Sequence, residues 1–385
     1  MSAASKPSPA PRKIPVCVPL LDGHEERYVA QAVRDGWISS VGPAVAAFEK
    51  GFASWCGAAH GVGVSNGTAA LHLALRALDV GPGDEVVIPD FAMVAVLFAV
   101  LYCGATPVAV DVEPDTGNLD PARVAEAVGP RTKAVIAVHT YGHPCDVEAL
   151  RAATAGSGAA IVEDAAEAHG AEWRGRRAGA LGDVASFSFY ANKILTTGEG
   201  GMVVTSNERL AERCRYLRNL CFPLDAPRDY FHEEIGFNYR LTNVQAALGL
   251  AQLERADALV ERRRATARRY AARLAAVPGV RLPIERAGAR NVHWMFAIRV
   301  DPERFGATRD ELARELAGRG VETRPFFRPM HVQPPYLRAR PDERRSFLVS
   351  DRLAAEGLYL PSSPALTDDD VAYVCEAIAT IGRRG

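Results

Sequence analysis

Lysine is scarce in this chain. Of 45 basic side chains in 385 residues, five are lysine and forty are arginine. Arginine stays protonated and cannot form an imine, so a lysine kept inside an apolar stretch calls for a chemical reason. An excess of one charge is also lacking. The formal net charge is −1 at pH 7, which offers no basic surface to nucleic acid or to an anionic membrane. No apolar run has the length of a membrane span, and the start, MSAASKPSPAPRK, has no apolar segment of the signal-peptide kind. The seven cysteines are odd in number and scattered, with no C-x-x-C pair. Neither a disulfide framework nor a metal site is expected, and a reducing cytoplasm is the expected location.

What is present is an ordinary globular mixture, 48% hydrophobic and 24% charged. The length suits two packed domains. Residues 1–13, rich in Pro, Ser and Ala, are expected to form a disordered arm. Seven short Val- and Ile-rich runs follow: GVGVS (61–65), EVVIP (85–89), PVAVDV (107–112), KAVIAVH (133–139), AAIVE (159–163), DVASFSF (183–189) and GGMVVTS (200–206). They read as strands buried on both faces. Between them lie helical patterns, including Leu71, Leu75 and Leu78 at i, i+4 and i+7 and a segment from Phe91 to Tyr102 that is apolar all round. This alternation predicts an α/β fold with a mostly parallel sheet covered by helices. A long helical pattern from Thr242, without proline until Pro278, is expected to connect to a smaller C-terminal α+β domain. The division reads as 14–255 for the large domain and 256–385 for the small one.

Ligands of open α/β sheets bind beyond the carboxyl ends of the strands. Three runs bring polar residues there. Asn66, Gly67 and Thr68 follow the first strand and open a helix, whose free N–H groups and dipole suit a phosphate; the same residues would serve equally as a plain N-cap. Asp164 follows the fifth run, where it either caps a helix or pairs with a cation such as a pyridinium nitrogen. The sixth contains Ser188 and is followed by Lys193, with Gly198, Gly200 and Gly201 positioned to let backbone approach a planar ring. A partly buried lysine loses solvation and becomes a better nucleophile, although a lone lysine is more often a snorkelling or salt-bridged one. Anion loop, aspartate, serine and lysine in this order match the layout of a pyridoxal-phosphate (PLP) enzyme.

The segments VSNGTAALHLAL, GPGDEVVIP, GATPVAVDVEPDT, VHTYGHPCDVEAL, IVEDAAEAHGAEWRGRRAGALGDVASFSFYANKILTTGEGGMVVT and GFNYRLTNVQAALGLAQLE resemble the nucleotide-sugar aminotransferases of the DegT/DnrJ/StrS type across nearly the whole chain. The resemblance implies a fold-type-I enzyme with PLP as cofactor and L-glutamate as amine donor. It implies that Lys193 is the covalent anchor and proton carrier, that Asp164 pairs with the pyridine nitrogen, and that Glu167, where many relatives have Gln or His, contacts the ring hydroxyl. Gly67, Thr68 and Ser188 are implied as phosphate ligands. Asn238 is implied to reach the phosphate of a second subunit, which makes the protein a homodimer with shared sites. Within the family, RPFFRPMHVQPPY is most like the branch that aminates a GDP-linked 4-keto-6-deoxymannose. In one respect the chain departs from the family. Relatives carry an aromatic residue over the ring in a P-x-x-T-[FYW] pattern, whereas Pro89-Asp90-Phe91-Ala92-Met93 puts Met93 there, a thioether that partly replaces stacking. Trp37, Ser39, Ser40, Arg240, Arg324 and His331 are candidates for the sugar nucleotide and the donor carboxylate; each would also serve as a structural turn or surface charge. His139, His143 and Cys145 fit no metal spacing and read as loop residues. Competing readings are a sibling acting on a 3-keto, dTDP- or UDP-linked sugar or a cyclitol ketone, a sugar 3-dehydratase (disfavoured, since those relatives have His in place of Lys193), and a non-catalytic PLP-binding regulator.

Overall fold

The computed structural model describes residues 12–224, 227 and 230–382. The arm expected over residues 1–13 therefore lies, apart from Arg12 and Lys13, outside the described residues. Each of the seven apolar runs forms a strand: β1 (His60–Val64), β2 (Glu85–Pro89), β3 (Thr106–Val110), β4 (Thr132–Val138), β5 (Ala160–Asp164), β6 (Val184–Ser188) and β7 (Gly201–Thr205). They form one sheet in the order β1-β7-β6-β5-β4-β2-β3. Neighbours are parallel except β7, which runs antiparallel to both β1 and β6. A short connection without a crossover helix joins β6 to β7, and such a connection reverses the chain. Alternate side chains leave opposite faces of the sheet. Val86 and Ile88 enter one core with Leu71, Leu75 and Val96, while Val87 enters another with Val108 and Val135. Burial on both sides is what lets the runs be apolar without alternation.

Helix α1 spans Glu25–Arg34, α2 Pro43–Cys56, α3 Gly67–Ala77 and α4 Ala95–Tyr102. Helix α4 begins later than the apolar pattern from Phe91 suggested. The backbone of Asp90 is engaged elsewhere: its carbonyl accepts from Met330 N at 2.7 Å, and its buried carboxylate accepts from His331 N and Nδ1, both at 2.8 Å. The helical pattern from Thr242 is two helices, α5 (Asn243–Leu253) and α6 (Ala256–Leu274), parted at Glu254 and Arg255. At that break Glu254 binds His24 and Tyr28, and Arg255 binds Asp22. The bend lets α5 pack on α1 and α2 while α6 packs on the C-terminal helix α7 (Asp368–Gly382).

A second sheet holds β8 (Val280–Arg281), β9 (Phe296–Val300), β10 (Arg324–Pro325) and β11 (Gly357–Leu360) in the antiparallel order β8-β9-β11-β10. Its core gathers Tyr270, Phe296, Ile298, Leu312, Val374 and Ile378, and Ile14 joins it from the other end of the chain. Ile14 N donates to Gly320 O at 2.8 Å, and Glu322 N donates to Ile14 O at 2.9 Å. Among the described residues no helix is long and apolar enough to cross a membrane, and no His, Cys, Asp and Glu cluster is arranged to hold a metal.

Candidate active site

The carboxyl ends of β1, β5 and β6 lie along one edge of the large sheet. Register sets Val64 and Ser188 on either side of Gly201, and Asp164 beside Ser186. Beyond this edge opens a cavity of about 780 Å³ whose wall includes Asn66, Gly67, Thr68, Met93, Asp164, Glu167, Ser188 and Lys193.

One end of the cavity suits an anion. The Asn66 side chain caps α3 by accepting from Ala69 N at 2.8 Å, which leaves the amides of the first turn for an external acceptor. Gly67 is required by a close approach, since a Cβ there would stand 2.6 Å from Ser188 Cβ. Gly201 has a different use from the one its position suggested. A Cβ on it would meet Asn66 O at 2.4 Å, so it admits the anion loop against β7. Gly198, Gly200 and Gly201 are absent from the cavity wall.

The middle of the cavity is acidic. Asp164 Oδ1 accepts from Ala166 N at 3.1 Å. Burial raises its pKa, against the opposing pull of the Ala166 amide and of Lys193, so the site favours a cationic partner for this carboxylate. Glu167 accepts from Tyr141 N at 2.7 Å, with Tyr141 held at a positive φ of 51°. Burial pushes Glu167 up to about 7. An acid raised in this way binds its proton more tightly folded than unfolded, so it costs stability as pH rises from its ordinary value of 4.5 to about 7 and no more above that. Glu167→Gln removes this slope. Without cofactor, the variant is expected to gain at most about 3 kcal/mol over the native protein at pH 8 and little at pH 4. Thermal melts at both pH values check it, and parallel pH profiles for the two proteins would refute the assignment of the slope to Glu167.

Lys193 closes the site. Its own amide donates to Tyr190 O at 2.9 Å, forming the turn that follows β6. Burial lowers its pKa, while Glu167 and Asp164 pull the other way. No carboxylate forms an ion pair with it among the described residues. Instead, Nζ stands 3.8 Å from the centre of the Trp294 ring. Trp294 escaped the sequence reading, as did His72, Tyr239, Phe327 and Tyr359, which also line the cavity. Nothing in their spacing separates them from core aromatics; His72, Tyr239 and Phe327 fell inside the longer segments VSNGTAALHLAL, GFNYRLTNVQAALGLAQLE and RPFFRPMHVQPPY without standing out.

Beneath Asp164 lies a buried platform. Glu163 accepts from Leu181 N (2.9 Å) and Gly182 N (2.7 Å) at Oε1, and from Gly179 N (2.9 Å) and His139 Nε2 (2.9 Å) at Oε2. His139 Nδ1 accepts from Cys145 N at 3.0 Å, which fixes a neutral ring with its proton on Nε2. His143 likewise bonds Pro144 O at 2.9 Å and Arg286 N at 3.2 Å.

Met93 reaches the cavity wall half exposed, and its sulfur accepts from Ala95 N at 3.2 Å at the start of α4. The other candidates lie outside this cavity within the single chain. Trp37 and Ser39 form an exposed loop whose carbonyls bind Asn243. Arg240 bonds Asn219 Oδ1 at 3.0 Å and lines a separate cavity of about 190 Å³ with Ser40, Arg215 and Arg218. Arg324 pairs with Glu322. His331 is held by Asp90 and stacks on Phe347 at 4.7 Å. Asn238 is exposed and bridges to Asn219.

A helix end suited to an anion, a part-buried carboxylate with an unshared oxygen and a partly desolvated amine fit a phosphorylated pyridine aldehyde group by group. Comparison with known proteins agrees. Residues 19–379 match the model of the DegT/DnrJ/EryC1/StrS aminotransferase family. A GDP-perosamine synthase of Caulobacter vibrioides is 44% identical over 95% of this chain and 97% of its own. A dTDP-3-amino-3,4,6-trideoxy-alpha-D-glucose transaminase of Streptomyces venezuelae is 41% identical over 94% and 95%. Among solved structures, S. venezuelae DesV in complex with a ketimine intermediate superposes with a TM-score of 0.86 at 40% identity, covering 94% of this chain and 95% of that one.

Proposed function

The chain belongs to the DegT/DnrJ/EryC1/StrS aminotransferase family, and from that premise we propose that it is a PLP-dependent enzyme moving the amine of L-glutamate to a ketosugar nucleotide, with GDP-4-keto-6-deoxy-D-mannose as acceptor and GDP-perosamine as product. The observation that carries the chemistry is the meeting of Lys193, Asp164, Glu167 and the α3 N-terminus in one cavity. The choice of sugar rests on likeness to GDP-perosamine synthases, three of them at 39–44% identity over 95% of the chain.

When bound, PLP supplies an electron sink for the carbon that loses or gains the amine. The protein's residues do the rest. The amides at Gly67 and Thr68 and the Ser188 hydroxyl hold the phosphate. Asp164 keeps the ring nitrogen protonated, and burial of its carboxylate strengthens that pairing. Glu167 would face the ring hydroxyl. Met93 would pack where relatives have an aromatic ring. Lys193 would anchor the cofactor, and its amine, once free, would take up and return the proton at the carbon that exchanges the amine. The low polarity that desolvates Lys193 favours the neutral, proton-accepting amine.

The reading includes a homodimer. Asn238 faces solvent and lies outside its own chain's cavity, as a residue serving a second subunit must. Trp37, Ile38, Val41 and Ile235 leave 46%, 57%, 66% and 87% of their surface exposed, more apolar surface than a lone subunit gains from. In such an assembly Trp37, Ser39, Arg240, Arg324 and His331 remain the candidates for contacts to the sugar nucleotide and donor. The division at residue 255 is part of the same proposal. So is a cytoplasmic location, which the seven free cysteines suit.

The test is a paired assay. Purified protein with PLP and L-glutamate is offered GDP-4-keto-6-deoxymannose and, separately, dTDP- and UDP-linked 4-keto and 3-keto sugars. Formation of 2-oxoglutarate with the GDP substrate, at a kcat/KM at least about tenfold above the others, is expected. Preference for a dTDP- or 3-keto sugar moves the enzyme to a sibling activity. Absence of any glutamate half-reaction leaves only the non-catalytic reading.

A further inference from the structure

We propose that the indole face of Trp294 is the resting place of the Lys193 head group whenever that lysine is not covalently engaged, so that Trp294 acts as a positioning residue between the two half-reactions. The proposal rests on the assignment of Lys193 as cofactor anchor. Its starting observation is the 3.8 Å separation of Nζ from the Trp294 ring centre, well inside cation–π range.

The ring is held before the amine arrives. Trp294 Nε1 donates to Asn192 O at 2.9 Å, the residue next to the lysine. Arg263, a 2% exposed arginine from α6, donates to Trp294 O at 3.1 Å and to Asn192 O at 3.3 Å. One guanidinium therefore ties the lysine's backbone to the segment that carries the indole, and neither drifts without the other. Trp294 itself is only 4% exposed, so contact is made where water competes little.

The choice of an aromatic face has a chemical consequence. The charged and titratable groups acting on the amine are Glu167 from the turn after β5, Asp164 at the end of β5, Cys17 from the N-terminal segment and Arg263 from α6, with His169 also within electrostatic reach. A carboxylate in direct contact would trap the ammonium and exchange protons with it. An indole face attracts the cation and accepts no proton. The amine is thereby parked beside the reaction centre with no carboxylate locking it as an ammonium, free to swing back and take a proton.

The experiment uses full-length protein loaded with pyridoxamine phosphate, the form in which the lysine is free, labelled with ε-¹³C-lysine. With five lysines in the chain, the Lys193 signal is assigned by its loss in Lys193→Arg. Its ε-methylene protons are expected upfield of the other lysines, shifted by the indole ring current. Trp294→Leu removes that shift and lowers the amine's titration midpoint by about one unit, a tenfold loss in protonation. Trp294→Phe keeps part of both. A native Lys193 signal that coincides with the other lysines overturns the proposal, and so does a Trp294→Leu spectrum that leaves shift and midpoint unchanged. If the leucine variant does not fold, the native shift and the phenylalanine variant decide alone. Failure of the anchor assignment shows separately: borohydride reduction of the native PLP enzyme then leaves no cofactor mass on the Lys193 peptide.

Discussion

Replacing Lys193 by alanine will abolish steady-state transamination, by at least ~10,000-fold, since the proposed function gives one position both the covalent anchor and the proton carrier. The visible absorbance of the lysine-bound cofactor disappears with it. Lys193→Arg separates chemistry from charge. A guanidinium keeps a cation over Trp294, which lies 3.8 Å from Nζ, but it forms no imine and gives up no proton near neutral pH. The arginine variant is therefore expected to fold with the native stability and to be as inactive as the alanine one. Turnover above about one percent of native in either variant, after removal of wild-type traces, would place the anchor elsewhere.

The second large effect lies one residue before Asp164. Glu163→Ala will destabilise the cofactor-free protein by about 3–5 kcal/mol. Its carboxylate is fully buried and takes hydrogen bonds from three backbone amides and His139. Alanine strands all four donors where water cannot reach them. His139→Ala removes one of the four donors to Glu163 and strands a single amide, that of Cys145, so its cost should be about 1–3 kcal/mol plus that of the cavity it creates. Thermal and denaturant unfolding of both variants measures the difference. Because the three amides belong to the 179–182 loop and Glu163 belongs to β5, the alanine variant also loosens the strand end that presents Asp164, and kcat should fall with stability. A Glu163→Ala protein as stable as His139→Ala would show that the loop amides find other partners.

The contrast between these two positions shows what was legible in the chain. Asp164, Ser188 and Lys193 stood out because each lies at or just past the end of a short apolar run, and strand ends are where open sheets bind ligands. The runs themselves were readable because strands buried on both faces must be continuously apolar. All seven became strands of one sheet. The direction of β7 was not readable, since side-chain alternation is the same for a strand running either way. Glu163 looked like any acidic residue closing a strand; its partners come from residues 139 and 179–182, brought in by folding. The start of α4 moved from Phe91 to Ala95 because Asp90 is engaged by His331, far along the chain. The helical pattern from Thr242 broke at Arg255 because Asp22 and the α1 region hold that point.

Local pattern thus determined the elements, the anion loop, the carboxylate and the lysine, because those follow from periodicity and from chemistry that few residue types perform. Tertiary structure alone decided what surrounds them. It brought Trp294 from the bend just before β9 to the lysine, set Glu167 in a pocket dry enough to raise it to about 7, and left Asn238 outside its own chain's cavity. Each of these depends on contacts between residues distant in sequence, and the energy of such a contact is not written at either of its ends.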